Sequence, residues 1–405
     1  MRTFERTHPW ISFRLNLREA RPRLWLSLGE AASKCEHIAG VPLRPATAQM
    51  LHRLFLAKGA LATTAIEGNT LTEKEILAHL EGKLELPPSK EYLGQEVDNI
   101  VAACNGIGER LHQGDSALTP ERIREHNRQI LEKLTLGEGV VAGELRSHSV
   151  VVGNVYRGAP AEDCKYLLGR LCEWLGGPDF QAEPGLELVY AILKAIMAHL
   201  YLAWIHPFGD GNGRTTRLVE YQILLAAGVP TPAAHLLSNH YNQTRAEYYR
   251  QLDRASKSGG AVAPFIEYAV RGFVDGVREQ LQLIRDQQWD VTWRSFVHER
   301  FRDEPGANAK RQRDLVLDLS PASEVVPVAK VPELSARLAR YYADKSAKTL
   351  QRDLLAVETM DLVERTPAGV RAHREVILAF LPWRRTTEKP KLATPPASLR
   401  PIPKR

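Results

Sequence analysis

Between Leu186 and Trp204, apolar residues recur at three- and four-residue steps: Leu186, Val189, Tyr190, Leu193, Ile196, Met197, Leu200 and Trp204, with only Glu187, Lys194 and His199 breaking the surface. Such a helix is apolar all round and predicts a buried central element. His199 reads as a core histidine satisfied by a hydrogen bond rather than as a reactive group. The same period predicts helices over Pro22–Ile38, Pro45–Glu67, Glu73–Glu81, Tyr92–Leu111, Pro120–Leu134, Glu162–Leu175, Arg214–Ala227, Ser238–Leu252 and Ala263–Trp289. Thr72 with Glu75 reads as a capping box, and Thr119 with Pro120 as a capped start. The pattern changes only between Leu136 and Pro160. There Val150-Val151-Val152, Gly153-Asn154 and Val155-Tyr156 read as strand, turn, strand.

A second, smaller region follows. Arg302–Lys310 is charged and broken by Pro305-Gly306, a linker pattern. Lys310–Leu319 and Pro332–Tyr342 read as two short helices. Ser346 then caps a third, Ala347–Met360, with Leu350, Leu354 and Val357 inward and Lys348, Thr349 and Arg352 outward. Leu362–Arg365 reads as a strand and Pro367-Ala368-Gly369 as a turn. From Arg384 to Arg405 the chain has seven Lys or Arg, one acid and five prolines. That composition cannot bury a core and predicts a disordered basic tail.

Of the 405 residues, 44% are hydrophobic and 25% charged, as in ordinary globular proteins, and the net charge of +6 is a mild bias. Four cysteines lie in helical segments with no CxxC pair, so reduced thiols are expected. No signal peptide is visible and no run approaches ~20 apolar residues. The expectation is a cytoplasmic protein with no membrane partner.

The chemistry concentrates immediately after the central helix, in His206-Pro207-Phe208-Gly209-Asp210-Gly211-Asn212-Gly213-Arg214-Thr215-Thr216-Arg217. Alternating glycines allow tight positive-φ turns and an inward-facing nest of N–H groups. A helix begins at Asn212 or Gly213, so unpaired N–H groups and the dipole both favour phosphate. Arg214 and Arg217, three apart, add charge on the same face. Asp210 is a hard ligand suited to Mg²⁺ on a polyphosphate. His206 is a base that ordinarily titrates near neutrality.

This stretch resembles the Fic family motif, HPFx[D/E]GNGRxxR, at every defined position. The resemblance implies a mainly α Fic fold with a β-hairpin flap, and transfer of AMP from Mg-ATP to a Ser, Thr or Tyr hydroxyl of a target protein. It implies His206 as general base, Phe208 as loop anchor and Asp210 as the Mg²⁺ ligand. Asn212 would contact the α-phosphate; Gly211, Gly213 and Arg214 would hold the α- and β-phosphates; Arg217 would reach the γ-phosphate. Retention of Gly213 favours AMP transfer over the phosphoryl transfer of Doc-like kinases. Val150, Val151, Val152 and Tyr156, with Arg146 and Pro160, resemble the target-binding flap, where Gly158 replaces a second proline. Tyr248-Tyr249 resembles the YYxxL helix that closes the nucleotide pocket. Thr63-Thr64-Ala65-Ile66-Glu67-Gly68 resembles the inhibitory motif [S/T]xxxE[G/N]. It implies that Thr63 begins a brake whose Glu67 pairs with Arg217.

Thr349–Leu354 resembles the recognition helix of bacterial winged-helix regulators, with Asp361 at a usual glycine position. The expected organisation is an N-terminal extension (1–44), a Fic domain (45–290) with its inhibitory helix near 60–68, a linker (291–309), a small C-terminal winged helix-turn-helix domain (310–383) and the tail (384–405). The alternatives are a nucleotide-sensing regulator that binds DNA, and a Fic enzyme that removes AMP or transfers UMP. A homodimer is compatible with the resemblance.

Overall fold

The computed structural model describes residues 2–18, 20–152, 156–322 and 324–378. The basic tail at 384–405 and the hairpin turn at 153–155 therefore lie outside the described residues. The described residues form two compact units, divided between Gln282 and Leu283.

The first unit is helical. Its elements are α1 (Thr3–Thr7), α2 (Pro22–Ala39), α3 (Pro45–Ala65), α4 (Glu73–Leu80), α5 (Glu91–His112), α6 (Pro120–Ile130), α7 (Cys164–Leu175), α8 (Glu187–Ile205), α9 (Asn212–Ala226), α10 (Thr231–Ala234), α11 (Leu236–Gln243), α12 (Arg245–Lys257) and the start of α13 (Ala263–Arg300). At the centre α8 packs along α9. From Ala195 to Ile205 every α8 residue except Ala203 is buried. By length and apolarity α8 is long enough to cross a bilayer, which the run-length reading missed; here it is core. Both expected caps form: Thr72 accepts from Glu75 N and Thr119 from Arg122 N.

Other expectations shift. The segment read as an N-terminal extension contributes to this core, with Leu24, Leu28, Ala31 and Cys35 of α2 buried. The helix read across Ser238–Leu252 is two helices. They break at Thr244, whose hydroxyl donates to His240 O at 2.7 Å instead of facing solvent. The hairpin forms, with β1 (Val151–Val152) antiparallel to β2 (Tyr156–Arg157). All four cysteines are free. Burial pushes their thiols up, to about 11 for Cys164 and about 12 for Cys35, Cys104 and Cys172.

The second unit contains the remainder of α13, α14 (Ala307–Leu319), α15 (Ala336–Tyr342), α16 (Ala347–Thr359) and a hairpin of β3 (Val363–Thr366) with β4 (Gly369–Ala372). Residues 291–300, read as linker, continue α13 because Trp293, Val297 and Phe301 join this unit's core. Trp293 Nε1 donates to Ser320 Oγ at 2.6 Å. The expected Ser346 cap is missing; its side chain makes no capping bond, whereas Ser335 does cap α15. Asp361 takes the left-handed conformation (φ 61°) that asparagine-like side chains tolerate. Leu350, Leu354 and Val357 are buried while Lys348 and Arg352 are exposed.

Candidate active site

The last turn of α8 ends in His206, the helix cap, in the left-handed region (φ 51°, ψ 60°). A β-carbon there is strained, and the surroundings hold it. Phe208, 1% exposed, anchors the following loop, and its backbone bridges Leu145. Gly211 (φ 73°) caps α9, a conformation that suits glycine. Asn212 does not leave its side chain to a ligand. Oδ1 accepts from Phe208 N at 2.9 Å and Nδ2 donates to Phe208 O at 2.8 Å. The amide clamps the loop, and as the first residue of α9 Asn212 has a backbone N–H with no partner inside the helix.

His206, Gly213, Arg217, Glu67, Val152, Tyr156, Tyr248 and Tyr249 line one cavity of about 440 Å³. Its volume lies within the range for a small-molecule ligand. Trp204, Leu252 and Asp253 also contribute to its wall. Tyr248 is buried and Tyr249 half-exposed. Of the other expected flap residues, Val151 is exposed, and Val150 O accepts from Gly158 N at 3.1 Å.

Three carboxylates face the arginines. Arg217 Nη2 donates to Glu67 Oε1 at 2.6 Å and to Thr63 O at 2.9 Å. Arg214 Nη1 donates to Glu96 Oε1 at 2.9 Å, and its Nη2 lies 3.5 Å from Asp210 Oδ1. The Nε of each arginine is buried without a partner. Orphaned donors of that kind are costly, and phosphate oxygens would satisfy them. Glu67 sits in the turn after α3, and its Oε1 lies so close to Gly213 that a β-carbon there would collide with it. A carboxylate thus occupies the mouth of the nest. Burial pushes Glu67 upward, but the charge and hydrogen bond of Arg217, with Arg214, hold its pKa below the ordinary value. His206 is held down, to about 4, first by burial and then by the charge of Arg146, with Glu67 and Asp210 opposing. Neutral imidazole is therefore its resting form at pH 7.

Asp210 is half-exposed, and its Oδ1 accepts from Gly211 N at 2.5 Å. One carboxylate beside a phosphate nest fits Mg²⁺, which takes one or two carboxylates plus substrate phosphates. No group of three His, Cys, Asp or Glu able to cage a metal occurs among the described residues.

Residues the sequence did not point to complete the site. Asn127 of α6, fully buried, donates to Asp210 O at 2.9 Å and Thr215 Oγ1 at 3.2 Å and accepts from Gly143 N at 2.9 Å. Glu96 of α5 holds Arg214 and accepts from Asn69 Nδ2 at 2.9 Å. Behind the cavity His199 bonds Tyr248 Oη at 2.8 Å and lies 3.0 Å from Glu220, which accepts from Tyr241 Oη. Spacing alone gives the expectation of a satisfied core histidine; its partners lie 21 or more residues away.

Residues 117–224 match the family model described as Fic/DOC family. That stretch is similar to a Fic domain. A protein from Nematostella vectensis named protein adenylyltransferase Fic is 32% identical over 209 residues, 52% of this chain and 45% of that protein. Protein adenylyltransferase fic-1 of Caenorhabditis briggsae is 31% identical over 217 residues, 52% of this chain and 38% of its own. The chain thus spans less than half the length of these curated relatives. Among solved structures, Fic-1 (residues 134–508) of C. elegans superposes with a TM-score of 0.53 at 23% identity, covering 65% of this chain and 73% of that one. A Fic family protein from Desulfovibrio desulfuricans G20 gives 0.50 at 22%, covering 87% and 96%. These likenesses show the helical Fic fold.

Proposed function

We propose that the protein is an adenylyltransferase that moves AMP from ATP to a hydroxyl of a target protein and is braked by Glu67. The observation that carries this is one shared cavity. It joins a neutral imidazole, a helix-start nest, Arg217 with its orphaned Nε donor and a hairpin edge. In the proposed reaction the target's hydroxyl oxygen attacks the α-phosphorus, the bond to the pyrophosphate oxygen breaks, and His206 takes the hydroxyl proton. The nest and Arg214 stabilise charge developing on the phosphates, and that stabilisation, with positioning, supplies most of the acceleration in such transfers. Mg²⁺ held by Asp210 would neutralise phosphate charge and favour departure of pyrophosphate. The extended target segment would add to the hairpin through backbone bonds. Glu67 competes for Arg217 and for the space over Gly213, so the γ-phosphate cannot take its place while the pair stands.

The test is labelling with isotopically marked ATP and Mg²⁺, alone and with cell extract. Wild type is expected to label weakly and Glu67→Gly strongly. His206→Ala in that background should lose about 10²- to 10⁴-fold, the share of a positioned base. Equal labelling by wild type and Glu67→Gly removes the brake. Release of AMP from a modified target, or label from UTP, would assign the site to AMP removal or UMP transfer instead.

A second reading concerns the second unit. Lys345, Lys348, Gln351 and Arg352 are exposed across the turn and first half of α16, while Asp353 turns inward onto Arg311 (2.6 and 3.0 Å) and Tyr342 (2.9 Å). That leaves a cationic helix face suited to duplex DNA, making the protein a DNA-bound sensor of nucleotide. Arg352→Ala should weaken binding to genomic fragments, with affinity falling steeply as salt rises.

A further inference from the structure

Arg146 is buried, 5% exposed, yet none of its hydrogen bonds goes to a carboxylate. A buried guanidinium that no carboxylate meets in a hydrogen bond is costly and calls for an account. Four of its five N–H donors are spent on backbone carbonyls from three places. Nε donates to His206 O at 2.7 Å, and Nη2 donates to Ile205 O at 3.3 Å and to Ala159 O. Nη1 donates to His148 O at 2.6 Å, and the backbone N–H donates to Pro207 O at 3.0 Å. His148 lies just before the hairpin and Ala159 just after it. Ile205 and His206 carry carbonyls at the C-terminus of α8, where a cation also meets the negative end of the dipole.

We propose, on the reading of His206 as the base, that Arg146 is its positioning residue: one planar fork that fixes the strained His206 backbone and the root of the hairpin in a single geometry. Base and target-holding edge then cannot drift apart. Gly158 belongs to the same device. A β-carbon there would sit 3.0 Å from both Arg146 Nη2 and His206 Cβ, so the side chain that is absent makes room for the fork. That no carboxylate bonds the fork also fits: an acid in contact here would add negative charge beside a base and an incoming polyphosphate. Two neighbouring bonds brace the same joint, Tyr156 Oη to Trp204 O at 2.9 Å and Ala159 N to Trp204 O at 3.3 Å. They tie the hairpin to α8 but do not reach His206.

The experiment uses the full chain in the Glu67→Gly background, with Arg146→Ala, Arg146→Lys and Gly158→Ala. Target labelling gives kcat and the KM for ATP. Carbethoxylation of the His206 ring, followed by peptide mass spectrometry, reports the histidine's setting without any need for turnover. Arg146→Ala is expected to lower kcat about 100-fold, the cost of a small misplacement of reacting groups, with KM for ATP unchanged and His206 modified faster. Arg146→Lys keeps the charge but not the fork and should fall between. Gly158→Ala should move kcat and the modification rate in the same direction from the other side of the contact. Unchanged kcat in Arg146→Lys and Gly158→Ala, or kcat losses matched by a rise in KM, would overturn the proposal, as would unchanged His206 reactivity. If Arg146→Ala does not fold, the other two variants decide. If the parent labels nothing, the AMP-transfer reading fails, while the His206 modification rates still test Arg146.

Discussion

Gly213 and Glu67 make a measurable pair. A methyl group at Gly213 collides with Glu67 Oε1 and lies 3.0 Å from Arg217 Nη1. Gly213→Ala should therefore cost about 1–3 kcal/mol in the wild-type chain, the range for overpacking. In the Glu67→Gly background most of that cost should disappear. A double-mutant cycle from urea unfolding reads the coupling, and additive effects would show that the two do not meet in solution. The pH dependence of transfer follows from His206. With its pKa near 4 in the folded protein, the imidazole is unprotonated throughout pH 6–8, so the rate limited by the base should stay flat there. Its acid limb should fall below the ordinary histidine range. Removing Glu67 deletes a charge that raises the His206 pKa, so the limb in Glu67→Gly moves further down, never up.

The element scale shows where local sequence suffices. Loop 206–217 and the helices around it were legible because glycine spacing, caps and apolar period are local signals. Asn127 was not, since an asparagine on a polar helix looks solvated until Asp210, Thr215 and Gly143 arrive from elsewhere. Removing it by Asn127→Ala strands buried donors and acceptors on two segments, at about 1–3 kcal/mol for each group left unsatisfied. It should lower thermal stability and nucleotide affinity together. Loss of neither would mean that the loop holds itself. The Thr244 break and the missing Ser346 cap have the same cause: a hydroxyl's choice between helix, cap and neighbour depends on contacts that spacing does not encode.

For the whole molecule, the boundary between units is the part spacing misplaced. A polar, Pro-Gly-broken stretch reads as a linker, yet Trp293, Val297 and Phe301 upstream of it are core of the second unit. A fragment beginning at Lys310 lacks all three, whereas one beginning at Leu283 keeps them. Circular dichroism melts should be cooperative for the longer fragment and absent for the shorter. Acid stability has a definite sign. Burial holds His126 and His235, like His240, at about 4 in the folded chain, against about 6.5 when unfolded. The unfolded state thus binds more protons between these values. The histidines' contribution is intact above about 6.5 and is lost as pH falls toward 4. Urea midpoints at pH 7 and pH 5 measure it, and a higher midpoint at pH 5 would contradict it.

The four thiols supply a clock. Every one lies in the first unit, and their raised pKa values leave almost no thiolate in the native chain. At the buried Cys35, Cys104 and Cys164 an alkylating reagent near neutral pH must then wait for the structure to open, and the labelling rate becomes the opening equilibrium multiplied by the chemistry of a free thiol, while the partly buried Cys172 serves as the internal reference. Counting adducts by mass separates openings that expose one buried cysteine from those that expose all three together. A ligand that binds the closed cavity should slow only the latter if its site opens only with the whole unit, and no engineered probe is needed to see it.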